Sequence, residues 1–261
     1  MKKVLLLALV LTLGGKYALA QDGGENNIKN FRFGLKATGM LTWFRPEAKN
    51  KFESNGVSAK GGYGLSMEFR LNKNVSIATG FQVDYFGGKL NMLDTNYYFL
   101  SKDSELQTKS DTVSTSVLYQ LNSRTYNTTY ITLPFTLKLK TNEIGALTYY
   151  GQFGINSSIR MKSRANDAVR SVVTLGSTSN NDLLNSKDMN LFMFSLNIGG
   201  GAEWNLSGST SLVFGLNFYN GFSNVEKAKS EYVFRTKSNN YDAVQQQARA
   251  SGIALTFGVL F

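Results

Sequence analysis

The sequence predicts an all-β chain: an eight-stranded antiparallel up-and-down transmembrane β-barrel with four long extracellular loops and short periplasmic turns. Three observations predict it. Eight runs alternate apolar and polar residues with period 2, the connections between them alternate short and long, and large aromatics gather near the run ends.

The runs follow one another in order. Phe31 to Trp43 places Phe31, Phe33, Leu35, Ala37, Gly39, Leu41 and Trp43 on one face, with Arg32, Lys36 and Thr38 among the residues between. Tyr63 to Leu71 and Val75 to Tyr85 repeat the pattern, then Ile131 to Leu139 and Tyr149 to Ser158. Phe192 to Asn205, Ser211 to Phe218 and Gly252 to Phe261 complete the set. Most are as long as the ~9–11 residues a tilted strand needs to cross a bilayer. One face is apolar and aromatic; the other carries Gly, Ser, Thr, Asn and charge. Alternation alone does not say which face is inward. A membrane barrel turns the apolar face to lipid and the polar face to the lumen.

The connections supply the direction. Asn72–Asn74, Thr141–Leu147 and Ser207–Ser209 are short, whereas Arg45–Ala59, Gly87–Ser123, Lys162–Lys187 and Asn220–Ala248 are long and polar. Outer-membrane barrels keep short turns in the periplasm and long loops outside. Phe31, Phe33, Phe69, Tyr149, Trp204 and Phe261 form an aromatic girdle on the short-turn side. Trp43, Phe44, Tyr85, Tyr130, Phe218 and Tyr219 form one on the long-loop side. The last strand ends on Phe261, the terminal aromatic expected of an insertion signal read by the barrel-insertion machinery.

Residues 1–20 read as a cleaved signal peptide. Lys2 and Lys3 precede the apolar run Val4 to Leu13, and Ala18 and Ala20 are the small residues a signal peptidase reads. The apolar run is too short for the ~20 residues of a spanning helix. Residues 21–29 follow as a periplasmic segment and 30–261 as the barrel, placing the protein in the cell outer membrane. Loss of Lys2, Lys3 and Lys16 leaves 25 basic residues against 18 acidic, a net +7. The charges are scattered rather than in blocks, so nucleic acid is not expected. Outer-membrane lipid and the phosphates of lipopolysaccharide are the natural acidic partners.

The chain has no Cys and no His. That excludes Cys/His metal sites, disulfides, thiol nucleophiles and Ser-His-Asp hydrolases, and neither an enzyme nor a cofactor is expected. A paired-carboxylate mechanism through Glu68 and Glu203 stays formally open, but both have basic neighbours. Gly199-Gly200-Gly201 is not followed by a helix and is not a nucleotide fingerprint.

The stretch Tyr130-Ile131-Thr132-Leu133-Pro134-Phe135-Thr136-Leu137-Lys138 resembles a strand of the PorT-like outer-membrane β-barrel proteins of Bacteroidota-type bacteria. Asn74-Val75-Ser76-Ile77 with Gly80-Phe81-Gln82, Gly199 to Glu203, and Gly258-Val259-Leu260-Phe261 are similar to other parts of that family. The sequence departs at Thr132, where the family often has Glu. The resemblance implies a barrel that serves type IX secretion or another envelope assembly, with other envelope proteins as partners.

The inward charges are the most informative set. Arg32, Glu68, Arg70, Lys138 and Glu203 fall on the lumen face near the short turns; Asp84 and Arg160 fall nearer the long loops. They form either a selective constriction or a salt-bridged plug. An eight-stranded interior is just wide enough for side chains to fill, and isolated charges there are costly. The plug implies a structural or interaction subunit of a larger envelope assembly. The constriction implies a small porin-like channel. Binding of lipid or lipopolysaccharide through basic loops is a third reading.

Overall fold

The computed structural model describes residues 30–93, 97–99, 118–171, 175–230, 233–237, 240–243 and 246–261. The expected signal peptide 1–20 and the segment 21–29 lie outside the described residues, as do parts of three predicted long loops. The described strands are β1 (Phe31–Pro46), β2 (Phe52–Ser54), β3 (Ser58–Arg70), β4 (Val75–Met92), β5 (Tyr97–Phe99), β6 (Leu118–Lys140) and β7 (Leu147–Ser171). They continue with β8 (Ser177–Leu184), β9 (Phe192–Ser207), β10 (Thr210–Asn224), β11 (Val233–Lys237), β12 (Asn240–Ala243) and β13 (Ala248–Leu260).

Eight long strands close a ring in the order β1, β3, β4, β6, β7, β9, β10, β13, each antiparallel to the next. Pairing of β13 with β1, from Gly34↔Leu260 to Pro46↔Ala248, closes it. Closure satisfies every ladder without leaving an edge to lipid. These eight correspond to the eight alternating runs. The five short strands lengthen the sheet at the long-loop end: β2 pairs with β4, β8 with β7, and β5 with β6, with β11 and then β12 continuing outward from β5.

The phase is that of a membrane barrel. Phe33 and Leu35 are 57% and 60% exposed, whereas Arg32 and Thr38 between and beyond them are buried. An outer wall of Leu, Ile and Phe over a polar interior inverts a water-soluble barrel and suits hydrocarbon.

Local chemistry sets the short turns. Asn72 Oδ1 accepts from the Asn74 and Val75 amides, an Asx turn. Gly208 takes a φ of 58° in the two-residue turn between Ser207 and Thr210. Within the wall, Pro134 on β6 has no amide to give β4, and the ladder skips from Thr79↔Phe135 to Gln82↔Thr132. Thr79 Oγ1 donates to the Pro134 carbonyl at 2.8 Å instead.

Two expectations are corrected. The strands run far past the expected ends: β6 and β7 have 23 and 25 residues, so much of the predicted loops Gly87–Ser123 and Lys162–Lys187 is sheet. Their outward positions there, among them Lys162, Arg164 and Asn166, are polar because, above the bilayer, nothing demands an apolar outer side, while Leu90, Leu121 and Val169 are buried inside. The second girdle also divides. Tyr85 and Phe218 face outward at 42% and 41% exposure, but Phe44, Tyr130 and Tyr219 are buried inside. Each of these three sits on the inward phase of its strand, one residue from an outward aromatic or apolar neighbour.

Candidate functional site

The inward face changes character along the barrel axis. At the short-turn end, register sets Arg32 of β1 directly opposite Glu68 of β3. Lys138 and Lys140 reach in from β6 and Glu203 from β9. Arg32 Nη2 donates to Glu68 Oε1 at 3.0 Å and to Glu203 Oε2 at 2.7 Å. Lys138 and Lys140 each pair with both carboxylates, at 3.4 Å for Lys138 to Glu68 and 2.9 Å for Lys140 to Glu203. Lys138 Nζ also stands 3.9 Å above the Tyr150 ring. Arg32 Nη1 reaches Ser211, whose hydroxyl donates to Asn205. All five charged groups are buried. Three cations and two carboxylates interlock, so each carboxylate is shared and none stands alone.

Four of the five residues expected here are therefore brought together: Arg32, Glu68, Lys138 and Glu203. Arg70 lies on the same face, half-buried, and its Nε has no hydrogen-bond partner. Sequence reasoning missed Lys140. The signal was present: Lys140 is one more step of the same period-2 phase after Lys138, beyond the point where the apolar partners end.

The middle layer is polar, with Lys36 and Asp84 among neutral side chains. Gln152 donates to Asn217, which donates to Thr256, and Thr132 and Ser158 share a hydrogen bond of 2.9 Å. Asp84 accepts from Gln82 at 2.5 Å. A cavity of about 70 Å³ remains between this layer and the charged one. That is room for a handful of waters.

The long-loop half of the interior holds an apolar cluster beside buried polar side chains such as Thr42, Thr128, Ser163 and Ser251. Met40, Phe44, Phe86, Leu90, Tyr126, Tyr130 and Met193 form one buried cluster with the small residues Ala248, Ala250 and Ala254 of β13. Phe44 and Tyr126 rings lie 5.1 Å apart, and Phe86 meets Tyr130 edge-on at 6.3 Å. Arg160 stands at the margin, its Nε donating to the Asn190 carbonyl at 3.3 Å. Above the apolar cluster Arg124 grips Asp167 with two hydrogen bonds, 2.7 and 2.8 Å, and approaches Asp188 at 3.7 Å. Asp188 accepts from Ser230. Glu226, past the end of β10, is buried beside this group, and burial pushes its carboxyl up to about 8. Sequence reasoning missed this upper part because it ended the strands near Tyr85 and Trp43.

Among the described residues, no three acidic, His or Cys side chains are placed to hold a metal ion. Phe261 ends the chain beside β1, with its amide bonded to the Phe33 carbonyl and the two rings 5.7 Å apart.

A family model described as "Outer membrane protein beta-barrel domain" matches residues 19–227. The chain belongs to that family. Its place is the outer membrane, and the exposed apolar wall is the lipid face. No curated protein matches the chain. Among solved structures it is similar to the outer membrane protein OprG of Pseudomonas aeruginosa, at 9% identity and a TM-score of 0.42, covering 88% of this chain and 95% of that one. A major outer membrane protein of Thermus thermophilus gives 10% identity and a TM-score of 0.41, covering 88% and 98%. Neisserial surface protein A gives 10% identity and a TM-score of 0.39, covering 88% and 96%.

Proposed function

We propose that this outer-membrane barrel is a closed, non-enzymatic structural or interaction subunit of a larger envelope assembly, of the PorT-like kind that its sequence resembles. The observation that carries this is the double filling of the lumen. A charged layer of five interlocked side chains crosses the short-turn end, and an apolar cluster occupies the long-loop half. A pore would need a continuous polar path, and the apolar cluster stands against one even if the charged layer rearranges. The surfaces left for function are the extended sheet at the long-loop end, the outer wall and the short-turn rim. Residues 1–20 serve as the export signal.

Liposome swelling tests this reading. Vesicles carrying the folded protein should swell in isosmotic sugar no faster than empty vesicles. Swelling at the rate of a porin control would replace the interaction reading with the channel reading.

A further inference from the structure

The outer wall carries a cationic shelf at the upper margin of its apolar belt. Up to that level the outward face of β4, β6 and β7 carries Phe81, Leu133, Phe135 and Ile159. A β-bulge then changes the phase of β7. Tyr130 pairs with Arg160 but Thr129 pairs with Lys162, so Met161 is the extra residue. Before the bulge, Arg160 turns to the interior; after it, Lys162 and Arg164 turn outward while Ser163 and Ala165 are buried. Had regular alternation run on through Met161 with no bulge, Lys162 and Arg164 would instead have taken the inward phase of Arg160.

The register lines up the rest. Tyr85, Thr129 and Lys162 stand abreast on three strands, with Gly87, Asn127 and Arg164 in the row above. Lys60 completes the shelf from β3. Past Gly62 that strand no longer pairs with β4, and the Lys60 side chain crosses the face of Gly87 to donate to Asn127 Oδ1 at 2.5 Å. A Cβ at position 87 would lie 2.5 Å from the Tyr126 carbonyl oxygen and 2.6 Å from Lys60 Cε, so glycine lets both the neighbouring backbone and the lysine come close. The hollow so formed has a volume of about 420 Å³, within the range of ligand sites. Among the described residues no carboxylate pairs with Lys60 or Lys162.

We propose that this shelf binds a phosphate group carried on the headgroup of an outer-leaflet glycolipid. The shelf is continuous with the lipid-facing wall, lies at the end where outer-membrane barrels meet the outer leaflet, and presents three cations with a tyrosine and amide and hydroxyl donors. A lipid whose acyl chains lie along Phe81 and Ile159 brings its phosphorylated headgroup to Lys60, Lys162 and Arg164. The site requires a barrel standing in the outer membrane and does not depend on whether its lumen conducts.

The test uses the full mature chain in phosphatidylcholine vesicles containing bis-phosphorylated lipid A, with retained lipid A counted by native mass spectrometry after extraction. The wild type should retain it, and Lys60→Gln/Lys162→Gln should retain it at least about tenfold more weakly. Lys49→Gln/Lys51→Gln, which removes the same charge from a loop, should behave as wild type. Dephosphorylated lipid A should lose as much affinity as the site variant, and inorganic phosphate in solution should not displace the lipid. Heat-modifiable gel mobility checks folding; if the double variant does not fold, Lys162→Gln alone, at an exposed position, gives the same reading. Equal loss in the loop variant, indifference to dephosphorylation, or displacement by inorganic phosphate each overturns the proposal.

Discussion

Glu68 and Glu203 are each held by the same three cations, and that sharing decides what substitution does. Removing one carboxylate leaves three buried positive charges facing one negative, and breaking a buried pair by deleting one partner costs about 3–5 kcal/mol. Glu203→Ala should therefore lower the denaturation midpoint of the reconstituted barrel strongly, whereas Glu203→Ala with Lys138→Met should recover much of the loss; no recovery would show that the two are not coupled. Most of this cluster was legible in the sequence, because a period-2 phase assigns inward residues without knowledge of contacts. What was not legible is which inward charges meet: Lys140 joins and Arg70 stays at the margin, since that depends on side-chain reach across the ring.

Glu226 belongs to the same scale. Burial raises its carboxyl, with Asp188 adding to the rise and Arg124 and Tyr126 opposing it, while Tyr130 also faces it. A group whose folded pKa is raised from 4.5 to about 8 gives stability that is complete below about 4.5 and lost as pH rises through about 8. The thermal midpoint should fall between pH 6 and pH 9, and Glu226→Gln should flatten that fall. An unchanged slope in the variant would place the titration elsewhere.

At the scale of elements, strand phase is the testable property. Leu196 on β9 faces lipid at 37% exposure and its neighbour Asn197 is buried in the lumen. Leu196→Arg should destabilise by about 2–4 kcal/mol, read by urea titration of the reconstituted protein, and Asn197→Arg should be much milder beside the polar cavity. Equal damage would mean that β9 is turned the other way. The existence and order of the eight long strands were legible because lipid imposes strict alternation over each crossing. Their upper halves were not, because β6 and β7 leave the bilayer near Thr129 and Lys162, and above that level both faces tolerate polar residues. The inward aromatics Phe44, Tyr130 and Tyr219 were misplaced for the same reason: at the margin an aromatic residue suits either face, and only the ring of neighbours shows which it takes. The bulge at Met161 has no composition of its own and emerges from the pairing alone.

For the whole molecule, the barrel is a wall filled from within by two different materials, charge at one end and apolar side chains at the other. The two layers fail under different perturbations. Loss of the carboxylates disturbs the lower layer and leaves Phe44, Tyr126 and Tyr130 in place, so a barrel carrying only that lesion should still be closed. Planar-bilayer recording of the wild type, of Glu68→Ala/Glu203→Ala, and of that variant with Phe44→Ala and Tyr126→Ala added therefore tests the central claim most directly. The closed-barrel account predicts silence from the wild type and from the carboxylate variant, and ion-conducting openings only when both layers are breached. Stable, ion-selective openings in the wild type that change in the carboxylate variant would contradict it and establish the charged layer as the filter of a pore.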